Sequence, residues 1–157
     1  MRHFLSKIIS TLAAIFLLLA SASCETSDNV EGIFAAHQWV FTGFCYTPNI
    51  DSNKSQRLSC TLEGYDKVHL VSFQSDGSIF ITLDGCKFKG SWIADGTNRS
   101  FAITNLRLAE GNDKNITPYA EKFLNELKVT AWYRGDTNYL QLFDAEKHYY
   151  LLFGPTK

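Results

Sequence analysis

Apolar and polar positions alternate with the period of a strand through most of the chain between His37 and Phe153. The first such run spans residues 37–46, where Trp39, Phe41, Gly43 and Cys45 alternate with Val40, Thr42, Phe44 and Tyr46. The most regular stretch follows as Val68 to Phe73, Ser78 to Leu83, Cys86 to Ile93 and Arg99 to Leu106. The gaps read Ser75-Asp76-Gly77, Asp84-Gly85 and Ala94-Asp95-Gly96. Asp-Gly supplies the positive φ angles that tight hairpins need, so these runs predict an antiparallel meander.

A polar bend from Glu110 to Asn115 leads to Thr117-Pro118, an N-cap followed by proline at the first helical position. Tyr119, Phe123, Leu124 and Leu127 then recur at helical spacing, predicting one short amphipathic helix. Three more strands are expected at Val129 to Arg134, Tyr139 to Phe143 and His148 to Phe153. The predicted class is mostly β (α+β): an antiparallel meander or incomplete β-barrel with one short helix packed across it.

The start of the chain has a different pattern. After Arg2 and Lys7, Ile8 to Ala22 holds nothing ionisable, a run of about fifteen residues that suits a signal-peptide core and is short for a bilayer span. It ends Ser21-Ala22-Ser23-Cys24, which resembles the lipobox of bacterial lipoproteins, whose cysteine is acylated. Ala20-Ser21-Ala22 is also an ordinary secretory cleavage pattern, which would leave Cys24 a free thiol. The favoured organisation is a signal peptide over 1–23, a polar tether over 24–36 and a domain over 37–157. In it the partner is the membrane, reached through lipid on Cys24, and the address is the cell envelope, on the outer membrane.

What remains after a signal peptide, about 130 residues, is one domain's worth. Both basic residues of the leader, Arg2 and Lys7, leave with it, so the remainder is slightly acidic and has no basic run, which argues against nucleic acid. Twelve Phe, seven Tyr and three Trp against one Met supply strand formers and bulk for a compact interior. Cys45, Cys60 and Cys86 are an odd number outside the cytoplasm. Cys45 and Cys60 are the disulfide candidate, closing a loop worth about 3 kcal/mol; both staying reduced is the alternative.

The order of these residues resembles the META domain family, which includes HslJ-like envelope proteins. The matching positions are Trp39, Val71-Ser72-Phe73 with Asp76-Gly77, Gly85-Cys86, Gly90, Trp92, Phe123 to Leu127, Trp132-Tyr133, Gly135, Leu140 to Leu142 and Leu151 to Phe153. Lys87 stands where that family has asparagine, and Thr104 to Arg107 where it has a second cysteine. The resemblance implies an incomplete antiparallel barrel crossed by a helix, an association with stress resistance, and no catalytic residue.

Candidate chemistry is sparse. Cys86 lies beside Lys87 and Lys89, but alternation puts it on the face of Phe88 and Trp92, in the core. His37, His69 and His148 fit no metal-ligand spacing, so no metal or cofactor is expected. Asp76, Asp84 and Asp95 sit in glycine turns and read as backbone caps. Phe123, Trp132, Tyr139 and Tyr149 belong either to the core or to an apolar slot beneath the helix. The expected function is therefore a non-catalytic, lipid-anchored interaction or stress-related domain with an unknown envelope protein as partner. The alternative is a carrier holding a small apolar molecule in the barrel interior.

Overall fold

The computed structural model describes residues 27–157. Its elements are α1 (Val30–Phe34), β1 (Gln38–Tyr46), β2 (Gln56–Arg57), β3 (Leu70–Phe73), β4 (Ser78–Leu83), β5 (Cys86–Ala94), β6 (Phe101–Glu110), a 3-10 turn (Asp113–Asn115), α2 (Pro118–Lys128), β7 (Trp132–Gly135), β8 (Leu140–Phe143) and β9 (Tyr149–Pro155). The strands form one nine-stranded sheet ordered β6-β5-β4-β3-β1-β9-β8-β7, with β2 added on β1. Every pairing is antiparallel.

The predicted meander is the spine of this sheet, and its turns work as their residues require. Asp84 and Gly85 both take positive φ, 50° and 75°, which turns β4 into β5 through a two-residue hairpin loop. Asp76 accepts from the Ser78 amide at 2.8 Å, and Asp95 from that of Thr97 at 2.8 Å. α2 begins where Thr117-Pro118 predicts: the Thr117 side chain accepts from the Ala120 amide, and Tyr119, Phe123, Leu124 and Leu127 face inward. This is the expected mostly-β α+β plan, with the sheet left open. Among the described residues its two edges meet where the Phe101 amide donates to Ala131 (2.9 Å) and the Tyr133 amide to Arg99 (3.0 Å). Beyond that point α2 packs beside β6.

β1 departs from simple alternation. A bulge between Phe41 and Gly43 leaves Thr42 unpaired, so the parity of the strand resets and both Phe41 and Phe44 enter the main core. Cys45 is thereby turned to the outer face, where it packs with Phe143 and Tyr150. Gly43 sits at φ 153° with Arg57 Nε only 3.1 Å from where a Cβ would be, leaving little room for a side chain.

Three boundaries need correction. Within the stretch expected as a tether, 24–36, Asn29 caps α1 and Phe34 is fully buried, so the packed unit begins well before residue 37. The strand expected from Val129 starts at Trp132; Val129 is exposed and its amide closes the end of α2. β6 starts at Phe101, after Arg99 at φ 58°, and continues to Glu110, taking over part of the expected bend.

Candidate functional site

The interior under α2, where an apolar slot was a possibility, is occupied by rings. Phe41 lies 4.6 Å from Phe123, 5.9 Å from Tyr119 and 5.7 Å from Phe153, centroid to centroid. Of the four residues proposed to line a slot, Phe123 is in this core. Trp132 is half-buried on the outer face under the Lys147 ammonium, and Tyr139 and Tyr149 are exposed. Cross-strand register explains the separation: Trp132 pairs with Phe143 and Phe143 with Tyr150, so all three share the face opposite Tyr133, Leu142 and Leu151. The four do not form one site.

The outer face of β7, β8, β9 and β1 carries a second small core, covered by the loop between β1 and β2. Ile50 packs onto Cys45, Phe143 and Tyr150, and its carbonyl accepts from Arg134. Ser55 and the Tyr150 hydroxyl hydrogen-bond each other. Burial pushes both the Cys45 thiol and the Tyr150 phenol up, so neither is an anion near neutrality. Cys60 instead packs against the main core, on the other side of the sheet from Cys45. The disulfide candidate is therefore corrected: Cys45, Cys60 and Cys86 are free, and the bulge that turned Cys45 outward is the reason. Cys86 is buried as expected, with its thiol donating to the Asn112 carbonyl at 3.3 Å.

These positions set a thiol-accessibility order that is directly measurable. Alkylation of the native chain followed by peptide mapping should modify half-buried Cys60 first, with Cys45 and Cys86 protected until denaturant is added. Finding a Cys45–Cys60 bridge, or Cys86 as the fastest of the three, would contradict the geometry.

The polar feature with the least ordinary environment brings together the end of the β2–β3 loop and the β4–β5 turn, with His69 and Asp84. His69, just before β3, is fully buried with neither ring nitrogen hydrogen-bonded. Around it stand the rings of Phe41 (6.2 Å), Tyr119 (5.5 Å) and Phe123 (5.6 Å). Leaving a buried polar group unpaired costs about 1–3 kcal/mol. Burial holds the imidazole below its ordinary value, against the pull of the Val68 carbonyl and Asp84 and with Lys67 adding to it.

The Asp84 carboxylate is fully buried, and Lys67 Nζ lies 3.3 Å from Oδ1. Its other oxygen accepts from both the backbone amide and the hydroxyl of Thr117, at 2.8 and 2.7 Å. Asp84 thus links the loop between β2 and β3 to the N-cap of α2. Gly64 of that loop, at φ 89°, lies so close to Thr117 Oγ1 that a Cβ would collide with it, and the Tyr119 amide donates to Glu63. Elsewhere, Tyr133 is buried with its hydroxyl unpartnered; burial, with Asp28 nearby, pushes it up to about 12.

Among the described residues, two depressions border α2. One, about 40 Å³, is floored by Phe44, Leu142 and Leu151 and rimmed by Lys122, Glu126 and Asp144, enough for a few waters. The other is an open groove of about 490 Å³ between α2, the 3-10 turn and β5, with Phe88, Ile116 and Leu124 beneath charged residues of both signs. Among the described residues no three His, Cys, Asp or Glu side chains converge to hold a metal ion.

Fold and site together define a class: a small α+β domain whose open, curled antiparallel sheet encloses an aromatic core, with one helix lying in the gap and latched by a buried aspartate. The chain belongs to the family described as a domain of unknown function (DUF4847), whose model matches residues 25–155. It is similar to the crystal structure of a DUF4847 family protein from Bacteroides vulgatus ATCC 8482. That likeness has a TM-score of 0.68 at 23% identity and covers 82% of this chain and 99% of that one. It also resembles the NMR structure of a protein from Burkholderia xenovorans, with a TM-score of 0.52 at 13% identity over 79% and 84% of the two chains. At these identities both likenesses speak to the fold alone. No curated protein matches the sequence. The META resemblance is overturned by the family match: the positions that carried it are apolar and turn residues, which any antiparallel meander places at similar spacing.

Proposed function

We propose that this protein is a non-catalytic, lipid-anchored domain of the cell envelope that acts by binding a protein partner at its surface. The observation that carries a surface role is the filled interior: the space beneath α2 that a carrier would need holds Phe41, Tyr119, Phe123 and Phe153. The address rests on the leader-like residues 1–23 and on Cys24, which lie outside the described residues.

The path of the chain at its first described residues supports a definite orientation. The Asp28 amide donates to Gly96 at 3.0 Å, and the Asp28 carboxylate receives Arg99 Nε at 2.9 Å and Nη2 at 3.2 Å. An anchor on Cys24 therefore holds the β5–β6 turn toward the lipid and directs the opposite end, with the β2–β3 loop, away from it. Leu62, Tyr65 and Val68 of that loop are exposed and are the residues such an orientation presents.

Replacing Cys24 with alanine is expected to abolish labelling by a palmitate analogue and to shift the protein out of the membrane fraction. Each buried methylene of an acyl chain is worth about 0.8 kcal/mol, so the effect should be near complete. Persistent membrane association of the variant would overturn the anchor. A photo-crosslinker at Tyr65 should give a discrete protein adduct in intact envelopes. The second reading, a carrier of a small apolar molecule, is favoured by the 490 Å³ groove; it would replace the first if no adduct formed while a lipid extract raised the Tm.

A further inference from the structure

We propose that His69 is a proton-operated latch: protonating it inside its aromatic enclosure releases the Lys67–Asp84–Thr117 contact and frees the β2–β3 loop and the first turn of α2.

The inference starts from what faces the ring. β1 contributes Phe41, α2 contributes Tyr119 and Phe123, the β4–β5 turn contributes Asp84, and the loop that carries the histidine contributes Lys67. Of these, Asp84, Lys67 and Tyr119 can titrate. Burial pushes the Tyr119 phenol up, so it stays neutral across the acid range. Thr117 and Lys67 together hold the Asp84 carboxyl below the usual carboxylate range despite its burial, so it remains an anion while the histidine titrates.

A neutral imidazole fits this box as one more flat ring. An imidazolium brings two N–H donors and a charge into a box where neither nitrogen is hydrogen-bonded and only the Val68 backbone and Asp84 favour the charged ring. The nearest anion is already committed, with one oxygen taken by the amide and hydroxyl of Thr117 and the other facing Lys67 Nζ. The protonated ring therefore has two outlets: it competes with Lys67 and Thr117 for Asp84, or it leaves the box for water. Either movement undoes the link between the loop and the α2 N-cap. The β4–β5 and β8–β9 ladders include neither the 62–67 loop nor the first turn of α2, so the opening is local. The device is independent of the anchor and of any partner.

The test is amide exchange in the full-length protein, corrected for intrinsic rates, with the His69 ring protons followed by NMR over the same pH range. Burial holds the imidazole below its ordinary value, so local opening should rise as pH falls from 7 to 5, by up to about tenfold for each pH unit over which only the open state takes the proton. That rise is expected at residues 62–67 and 117–120, in step with the His69 titration, while β4, β5, β8 and β9 keep their protection. His69→Phe puts a neutral ring in the same enclosure and should make exchange at the loop independent of pH. Should that variant fail to fold, the wild-type comparison alone decides. Flat exchange at the loop between pH 7 and 5, or a His69 ring that titrates at the ordinary value with no change in exchange, would overturn the latch.

Discussion

Replacing Phe34 with alanine should cost the fold about 3–5 kcal/mol, the range for removing a fully buried phenylalanine. The residue lies in the stretch that composition marks as a tether, and substitution in a free tether would change stability by no more than about 0.5 kcal/mol. Its surroundings explain the difference. The ring sits 5.0 Å from Phe73, 4.9 Å from Trp92, 5.4 Å from Phe101 and 5.0 Å from Tyr133. Its carbonyl accepts the Trp39 indole N–H at 3.1 Å. Removing the ring leaves a hole shared by β3, β5, β6 and β7, which cannot all move inward together. Against a total of about 5–15 kcal/mol for a domain of this size, the loss should appear as a large fall in the urea midpoint with little change in slope. A loss under about 1 kcal/mol would mean that α1 is not part of the packed unit.

The reason α1 is hard to read in the sequence is its length. Five residues show barely one helical repeat, and a helix that short is held by tertiary contacts and not by propensity. A signal was present: Val30, Ile33 and Phe34 stand at i, i+3 and i+4 after Asn29, a good N-cap. The polar residues just before it concealed it. The meander was easier, because each strand is bracketed by an Asp-Gly or similar turn whose backbone geometry only a few residue types adopt. The β1 bulge lies between these cases. Phe41 and Phe44 with Thr-Gly between them is the trace it leaves, but strict alternation reads through it and assigns Cys45 to the wrong face. The expectation of a bridge to Cys60 came from the cysteine count and the loop the pair would close, neither of which tells which side of the sheet each thiol takes.

The polar corner was legible only in part. Asp84 was readable as a turn residue, and it does turn the chain. Its second role, receiving the Thr117 amide and hydroxyl 33 residues away, depends on where α2 lands, which no local pattern encodes. His69 was weighed for metal spacing and set aside. Its burial arises from Phe41, Tyr119 and Phe123 closing over it, residues from two elements distant in sequence.

Asp84 carries the other large expected effect, and its pH dependence distinguishes it from His69. Asp84→Ala removes a charged acceptor from two Thr117 donors, each such bond being worth about 1.5–3 kcal/mol, and leaves Lys67 without its anion. A loss of about 2–4 kcal/mol at pH 7 is expected. Asp84→Asn keeps one acceptor oxygen for Thr117, so it should lose less, about 1–2 kcal/mol. Burial raises the Asp84 carboxyl, but the Thr117 bonds and Lys67 outweigh it and hold it low. A carboxyl lowered by folding stabilises the native state above its unfolded value of about 3.9 and loses that contribution as pH falls through the folded value. His69, also lowered but as a base, leaves stability intact above about 6.5 and erodes it as pH falls below that. Urea midpoints measured from pH 8 to pH 3 should therefore fall in two steps for the wild type. In Asp84→Asn the lower step should be reduced while the upper one persists, because removing the anion only makes protonating His69 harder. An Asp84→Ala variant within about 0.5 kcal/mol of wild type at pH 7, or an Asp84→Asn acid limb that overlays the wild type, would show that the carboxylate does not hold α2 in place.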